Sequence, residues 1–474
     1  MTYILQSIES FLSQTSDFIW GFPLLILLLG THIYLTIRLR FIQRFLGKAI
    51  KISFGTKKEG KGDISQFGAL TTALAATIGT GNIVGVGTAI AAGGPGAVLW
   101  MWLTGVFGIS TKYAEALLSV KYRVQHKDGY FAGGPMYVLE NGLKQKWLGV
   151  IFAIFTAIAA FGIGNTVQAN SIITLVQDTF DLNPYIQNLF SGIGMENFAA
   201  GLKGINLTPW IGGVILSLLT AFVIFGGIKS IASACERLVP FMAVFYILGT
   251  IILLIMGYKT LIDSVVLIFN SAFTGQAAVG GFLGAGMKEA VRYGIARGLF
   301  SNESGLGSAP IVAASAQTKN PVRQALVSST GTFWDTVVVC ALSGMVIVNS
   351  GDWIKGMNGA LLTKTAFSEF PVIGPVILVV SLFTFVFSTI LGWSFYGEKA
   401  IEYLAGEKSV KPYRILWVIA VMVGSVASLP AVWHFADIAN GLMAIPNIIA
   451  LILLSGVVVK ETKKYLWENK LDEK

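Results

Sequence analysis

Charged side chains are scarce in this chain of 474 residues. Asp, Glu, Lys and Arg together account for 12% of the sequence, whereas hydrophobic residues account for 54% and the mean hydropathy is +0.70. A soluble domain of this length carries about twice that share of charged residues. The composition therefore excludes an ordinary soluble protein and predicts an all-α polytopic protein that crosses the cell membrane many times.

Cysteine and histidine are rare as well. The two cysteines, Cys235 and Cys340, stand in separate apolar segments, which excludes a disulfide framework and a paired-cysteine metal site. The three histidines, His32, His126 and His434, are scattered, and neither a His-Glu-x-x-His nor a Gly-x-Ser-x-Gly motif occurs. Because no nucleophile and base pair emerges, we expect no enzyme activity and no organic cofactor.

The basic residues concentrate in alternate loops. The formal net charge of +9 would suggest a nucleic acid partner in a soluble chain, but Lys and Arg cluster at 38–61, 121–146, 229–237, 288–323, 399–414 and beyond 460. The positive-inside rule makes these loops cytoplasmic, so the bilayer is the expected partner and nucleic acid is not. Residues 1–17 contain no Lys or Arg, which predicts an outside N-terminus without a cleavable signal peptide.

Apolar windows long enough to cross a bilayer predict eleven transmembrane helices. They fall at 18–37, 67–92, 97–120, 147–176, 210–227, 235–257, 261–286, 325–348, 372–404, 415–429 and 435–459. An odd number with this charge pattern indicates one N-terminal helix plus a five-plus-five inverted repeat. The predicted divisions are 1–64 (peripheral N-terminal helix and basic cytoplasmic loop), 65–258 (first repeat), 259–460 (second repeat) and 461–474 (cytoplasmic tail).

The second window contains a stretch that makes a poor continuous helix. Residues 77–87 read TIGTGNIVGVG, with four glycines in nine residues beside two threonines and an asparagine. Glycine costs roughly 1 kcal/mol against alanine in a helix, and transporters use broken helices at the bilayer midplane to bind substrates and ions. Close helix packing on small residues is the alternative; it explains the glycines but not the threonines and the asparagine.

A five-plus-five repeat requires a second break in its sixth helix. The stretch SAFTGQAAVGG at 271–281 interrupts the seventh window and is the predicted position. A second small-residue stretch, within 294–318, is predicted as a cytoplasmic loop that serves either as a gate hinge or as a linker.

Polar and aromatic residues within the windows provide candidates for binding. Gln168 could donate to a carboxylate, and the adjacent hydroxyls of Ser388 and Thr389 are hard oxygen donors suited to a small cation. Alternatively, these hydroxyls bond only to carbonyls of their own helix. Trp393 and Phe273 could wall a small pocket, although packing is the more common role of lone aromatic residues. Lys112 and Glu115 are expected to form an internal pair that is structural.

Several of these motifs resemble the alanine or glycine:cation symporter family. The resemblance covers 18–459, and it is carried by GGPGAVLWMW at 93–102, TIGTGN at 77–82, KYAE at 112–115, GGPMY at 133–137, RGLFSNESGLGSAP at 297–310 and STILGWSFYG at 388–397. It implies a LeuT-like fold of eleven helices with two broken helices. It also implies a carrier that moves alanine or glycine into the cell with sodium as the coupling ion.

The resemblance further implies a set of site residues. The substrate groups of the family fall on Thr80, Gly81, Asn82, Gln168, Phe273, Thr389 and Trp393. Its sodium site falls on backbone oxygens at Ala75 and Ile78 together with the hydroxyls of Ser388 and Thr389. The expected partners are thus a small neutral amino acid, sodium and the lipid bilayer.

Two other functions remain open from the residues alone. A proton-coupled carrier of the same architecture would depend on the intramembrane acids Asp335 or Glu398. A membrane sensor would bind amino acids without coupled transport, although the inverted repeat argues against it.

Overall fold

The computed structural model describes residues 2–55, 60–179, 185, 206–273, 286–427 and 430–473, and it is almost entirely helical. The α-helices of eight or more residues are Thr2–Ile19, Phe22–Arg38, Leu46–Ser53, Gln66–Thr77, Val86–Gly93, Ala97–Lys121, Lys146–Phe161, Val167–Thr179, Thr208–Ile224, Gly227–Met256, Leu261–Phe273, Met287–Asn302, Pro321–Thr332, Ala341–Ser350, Gly359–Ser368, Ile373–Ala405, Val410–Val426, Pro430–Leu453 and Ser455–Thr462. Wider π-helical turns are Gly81–Gly85, Val138–Gly142, Gly162–Thr166, Phe333–Cys340 and Lys463–Trp467. One short antiparallel pair joins Val124–Gln125 to Phe131–Ala132.

Within the described ranges, seven helices are long and apolar enough to cross a bilayer, and a bent pair raises the number to eight. The seven are Ser7–Arg38, Lys146–Thr174, Gly227–Met256, Pro321–Ser350, Ile373–Ala405, Glu407–Val426 and Ala431–Leu453. The prediction of an all-α polytopic membrane protein is therefore confirmed. The count of eleven spans and the repeat boundaries stay predictions.

The bent pair is the broken helix that the sequence predicts. Gln66–Thr77 starts at an N-cap, where the Ser65 hydroxyl accepts a 2.7 Å hydrogen bond from the backbone N–H of Gly68. The helix stops after Thr77, and Gly81–Gly93 continues at an angle of 55°. We call residues 78–80 the first break.

A second break in the described helices lies at residues 303–309, and the predicted break at 271–281 stays a prediction. Helix Leu261–Phe273 ends inside the predicted stretch 271–281, whose remaining residues lie outside the described ranges. The next helix, Met287–Asn302, ends where Glu303 adopts a left-handed conformation (φ 56°), followed by Gly305 and Gly307 with φ near 90°. The prediction of a loop from residue 294 was therefore wrong as far as Asn302, which is helical.

Both breaks lie at the same depth in the bundle. The second break packs half-way along helix Ala97–Lys121, where a Cβ added to Gly108 would lie 3.0 Å from Ser304 Oγ. Ser301, just before the second break, and Asn82, just after the first, bond to the same carboxylate of Asp335. The second break therefore lies buried inside the bundle beside the first.

Backbone contacts join the predicted cytoplasmic segments. The Arg123 guanidinium donates to the carbonyl oxygens of Ala314 (2.8 Å) and Lys61 (2.9 Å), which ties the start of the first broken helix to the chain beyond the second break. Asp63 Oδ2 accepts from the Phe131 N–H at 3.0 Å. Burial raises the pKa of the Asp63 carboxyl above its ordinary value, and this hydrogen bond opposes the rise.

The crossing of helices Met287–Asn302 and Ala97–Lys121 depends on glycine. A Cβ added to Gly294 would collide with the Ala97 carbonyl oxygen, which belongs to the backbone and has little freedom to move. We expect Gly294→Ala to cost about 1–3 kcal/mol through overpacking, seen as a lower Tm of the purified protein. Gly30→Ala is the control, because nothing lies within 4 Å of its Cβ position; an equal loss in both variants would contradict this interpretation.

Candidate functional site

The first break exposes two backbone carbonyl groups. In a continuous helix the Gly79 N–H would bond to the Ala75 carbonyl, but here it donates to Asn82 Oδ1 at 2.9 Å. The Asn82 N–H donates to the Gly79 carbonyl (3.3 Å) in place of the Ile78 carbonyl. The carbonyl oxygens of Ala75 and Ile78 are thereby released from the helical pattern.

Both released carbonyls face the hydroxyl pair on helix Ile373–Ala405. Ser388 Oγ lies 3.3 Å from the Ala75 carbonyl oxygen, and Thr389 Oγ1 lies 3.2 Å from the Ile78 carbonyl oxygen. Each hydroxyl also lies within 2.9 Å of the Phe385 carbonyl. Four oxygens from two helices therefore converge, in addition to the bonds within the helix that the alternative interpretation expects.

These oxygens suit a small hard cation. When the hydroxyl protons bond to Phe385, the lone pairs of Ser388 and Thr389 point toward the two carbonyl oxygens. Ser388 is fully buried and Thr389 is 2% exposed. A cation between the four oxygens would offset the repulsion among these partial negative charges. The residues present thus fit sodium.

The residues Thr80, Gly81 and Asn82 lie at the start of the second half of the first broken helix. Gln168 approaches them, because its Nε2 donates to the Ile163 carbonyl (2.9 Å) and lies 3.4 Å from Thr80 Oγ1. Gln168 Oε1 is buried and has no hydrogen-bond partner in the described structure. This acceptor is available to a ligand.

Gly79 is a site residue that the sequence interpretation missed. A Cβ added to Gly79 would lie 2.6 Å from Thr389 Oγ1 and 3.6 Å from Gln168 Oε1. Any side chain there would occupy the space between the two polar groups. The glycine spacing of the stretch hinted at the need for close approach but did not single out this position.

Two predicted aromatic residues have different surroundings. Trp393 is 1% exposed and packs on Gly164, where an added Cβ would collide with it, and its side chain bonds to Glu303 of the second break. Phe273 is 56% exposed and packs against Trp100, with ring centroids 5.9 Å apart. The structure therefore brings Trp393 to the second break but leaves Phe273 at the N-terminal end of helix Ala97–Lys121.

Phe300 lies where Phe273 was expected. A Cβ added to Gly81 would lie 3.5 Å from Phe300 Cδ1. Phe300 precedes the Ser301–Gly307 motif directly, so the sequence offered a signal in the form of a bulky residue among small ones. The role of Phe300 beside Gly81 could be recognised only once the position of the second break was known.

Asp335 links the two breaks. Its Oδ1 accepts from Asn82 Nδ2 at 2.7 Å, and its Oδ2 accepts from Ser301 Oγ at 3.0 Å and from Thr336 Oγ1 at 2.6 Å. The carboxylate is fully buried and forms no ion pair with any residue that the structure describes. Three donated hydrogen bonds therefore stabilise it.

A second carboxylate supports the second break. Glu115 Oε1 accepts from the Gly305 N–H at 3.0 Å and from Asn447 Nδ2 at 2.7 Å, and Asn447 also donates to the Gly305 carbonyl at 2.9 Å. Lys112 Nζ is buried without a hydrogen-bond partner among the described residues. The expected Lys112–Glu115 pair is thus not a direct ion pair, and Glu115 binds the backbone of the second break.

Glu398 has a different environment from Asp335. The Arg414 guanidinium donates to both of its carboxylate oxygens, at 2.7 and 3.0 Å, near the predicted cytoplasmic end of helix Ile373–Ala405. A cavity of about 450 Å³ borders this pair. Glu398 is therefore an ion-pair partner away from the first break.

We expect Asn82→Ala to lower stability by about 2–6 kcal/mol, because it leaves the Gly79 N–H and Asp335 Oδ1 unpaired and each such loss costs about 1–3 kcal/mol. The matched control is Asn358→Ala, since the exposed Asn358 Oδ1 also accepts a backbone N–H, that of Leu361, at 2.9 Å. The control should lose only about 1 kcal/mol, as for a helix cap. Equal changes in Tm would contradict the central role of Asn82.

Comparison with known proteins identifies the family of this chain. The model of the sodium:alanine symporter family matches residues 5–474. The sodium/alanine symporter AgcS of Methanococcus maripaludis is 49% identical over 467 residues, covering 96% of this chain and 97% of that protein. An uncharacterized transporter of Haemophilus influenzae is 48% identical over 471 residues, covering 98% of both chains.

A solved structure has the same fold. The crystal structure of MhsT in complex with L-phenylalanine aligns with a TM-score of 0.56 at 15% sequence identity, over 86% of this chain and 95% of that chain. The likeness shows that the fold is LeuT-like, with two broken helices at its centre. The fold, the family match and the near relatives lead to one conclusion: the chain belongs to the sodium:alanine symporter family and is a membrane transporter, not an enzyme.

Proposed function

We propose that this protein imports small neutral amino acids, alanine and glycine, together with sodium by alternating access. The observation that carries the proposal is the convergence of the Ala75 and Ile78 carbonyl oxygens with the Ser388 and Thr389 hydroxyls. An oxygen set made partly from released backbone carbonyls depends on the break itself. Sodium bound there would join the first broken helix to helix Ile373–Ala405.

The substrate carboxylate would bind at the N-terminus of the half-helix that begins at Gly81. The first N–H groups of a helix have no partner within it, and the helix dipole favours a negative charge there. The ammonium group would donate to Gln168 Oε1, the buried acceptor without a partner in the part of the chain described. Gln168 thus serves as an acceptor, in contrast to the donor role that the sequence suggested.

The aromatic wall of the substrate pocket would consist of Phe300, near the carboxylate group of the substrate, and of Trp393, behind the second break. The Gly79 backbone approaches Thr389 and Gln168 closely, which leaves room only for a small side chain. Glycine and alanine differ by one methyl group, worth about 1–3 kcal/mol in a pocket. We therefore expect both to be carried, with bulkier amino acids rejected.

Coupling follows from the shared use of the first break. Sodium would order the carbonyls on one side of Gly79, and the substrate would bind the N–H groups on its other side. A ligand shifts a conformational equilibrium only as far as its affinities for the two states differ. We propose that sodium raises the population of the conformation in which the substrate-binding groups are ordered. We also propose that the N-terminus lies outside the cell and the C-terminus in the cytoplasm.

Proton coupling is the second candidate, and Asp335 is the observation that favours it. It is a fully buried carboxylate without an ion-pair partner among the residues described, and it bonds to Asn82 of the substrate site. Glu398 is the weaker candidate because both of its carboxylate oxygens accept hydrogen bonds from Arg414, away from the first break. The third possibility, an amino acid sensor, predicts binding without accumulation.

We expect accumulation of labelled alanine in proteoliposomes under an inward sodium gradient and none under an equal potassium gradient at fixed pH. Thr389→Ala should raise the sodium concentration for half-maximal uptake about tenfold or more, since a lost bond to a charged group costs about 1.5–3 kcal/mol. The matched control is Thr384→Ala on the same helix, whose hydroxyl bonds only to the Val380 and Ser381 carbonyls. Equal sodium dependence in both variants would contradict the proposed ion site.

A second assay separates sodium from proton coupling. We expect that an acidic exterior without sodium drives no accumulation of alanine in the native protein. If it does, and if Asp335→Asn abolishes that uptake while Glu398→Gln retains it, the proton-coupled function replaces the sodium-coupled one. Binding without accumulation under either gradient would favour the sensor.

A further inference from the structure

A cavity of about 150 Å³ opens beside Asp17 and Trp20, on the side of the predicted outer N-terminus. Arg292 and Arg297 line it too, so the prediction that the basic cluster at 288–323 is cytoplasmic conflicts here with the predicted outer N-terminus, and the outer side is taken from the N-terminus. It lies between the N-terminal helices, helix Met287–Asn302 and helix Pro430–Leu453. Its charged and aromatic lining consists of Asp17, Trp20, Arg292, Arg297, Phe300 and Asp437, with His434 beside them. The predicted organisation treats the N-terminal helix as peripheral, yet that helix forms one wall of this cavity.

Phe300 forms the floor of the cavity. One edge of its ring approaches Gly81 of the substrate site, with Cδ1 3.5 Å from the Cβ position. The other side faces the cavity, where the Arg297 guanidinium lies 5.8 Å from the ring centroid. Phe300 therefore separates the first break from the predicted outer space.

The Trp20 ring packs against the Phe300 ring on the cavity side. The two rings meet edge to face with centroids 6.3 Å apart, an arrangement that aromatic pairs favour. The Trp20 indole N–H donates to the Asp437 carbonyl at 3.1 Å, which fixes the ring against helix Pro430–Leu453. One side chain thus connects the N-terminal segment, the second broken helix and helix Pro430–Leu453.

Neighbouring contacts support the same junction. Arg292 pairs with Asp17 at 3.5 Å, and Lys288 lies 5.6 Å from the Phe22 ring centroid, so helix Met287–Asn302 is linked to the chain on both sides of Trp20. Ion pairs with exposed partners contribute little, and the Asp17 side chain is 71% exposed. The aromatic contact at Trp20 is therefore the main closing interaction.

We propose that Trp20 is a positioning residue of the outer gate, which keeps Phe300 closed over the substrate site. Helix Met287–Asn302 leads directly into the second break, so opening of the outer path requires this helix to move away from Trp20. The N-terminal helix is then a working part of the gate. This inference rests on the proposed function in one respect only, namely that the opening closed by Phe300 is the route by which substrate enters.

Accessibility of the site from outside tests the gate without substrate or sodium. Cysteine is introduced as Thr80→Cys in a background of Cys235→Ala and Cys340→Ala, which removes both native thiols. Intact cells are treated with a membrane-impermeant thiol reagent, and the rate of modification is measured. Adding Trp20→Ala to this background should raise the rate about tenfold, because the aromatic contact and the indole hydrogen bond are both lost.

Two further variants make the outcome specific. Trp210→Ala is the matched control, a tryptophan that is 54% exposed at the start of helix Thr208–Ile224, and it should leave the rate within about twofold of the background. Trp20→Phe keeps a ring against Phe300 but lacks the N–H, so its rate should fall between the background and Trp20→Ala.

An unchanged rate in Trp20→Ala, with normal amounts of protein in the membrane, would overturn the proposal. An equal increase in Trp210→Ala would also overturn it, because it would indicate general loosening. Failure of the sodium-coupled function would leave the labelling rates as expected, so the two hypotheses fail separately.

Discussion

The hydrogen bond between the Gly79 N–H and Asn82 Oδ1 is the interaction on which the site depends. A buried backbone N–H that leaves a helix needs another acceptor, or it costs about 1–3 kcal/mol. Asn82 supplies that acceptor three residues later and is itself held through Nδ2 by Asp335. The carbonyl oxygens of Ala75 and Ile78 are left free to face other helices, so one side chain both stabilises the break and creates its oxygen surface.

Buried carboxylates perform the corresponding task at the second break. Asp335 accepts from Ser301 before this break, and Glu115 accepts from the Gly305 N–H within it. Removing carboxylates from water is costly, and it is tolerated where several donors surround them. Because Asp335 bonds to both broken helices, a movement of one changes the surroundings of the other. This link is a physical basis for concerted motion of the two broken helices.

The surroundings of the two breaks differ in a way that matters for transport. On the side of helix Ile373–Ala405, hydroxyls and carbonyls meet and form a cation-sized polar surface at Ser388 and Thr389. On the predicted outer side, the Phe300 and Trp20 rings cover Gly81. The predicted cytoplasmic side is closed by backbone contacts from Arg123.

Composition and local pattern determined the membrane class, the first break and the oxygen donors of this protein. Scarcity of charge requires burial in lipid, and glycine with threonine and asparagine at 77–87 disfavours a continuous helix whatever its neighbours are. Only the tertiary structure decided that the second break is at 303–309, that Phe300 and not Phe273 lies beside Gly81, and that Asp335 joins the two breaks. These facts depend on which helix lies beside which, because pairings such as Asn82 with Asp335 join residues 253 positions apart, and no local pattern carries that information.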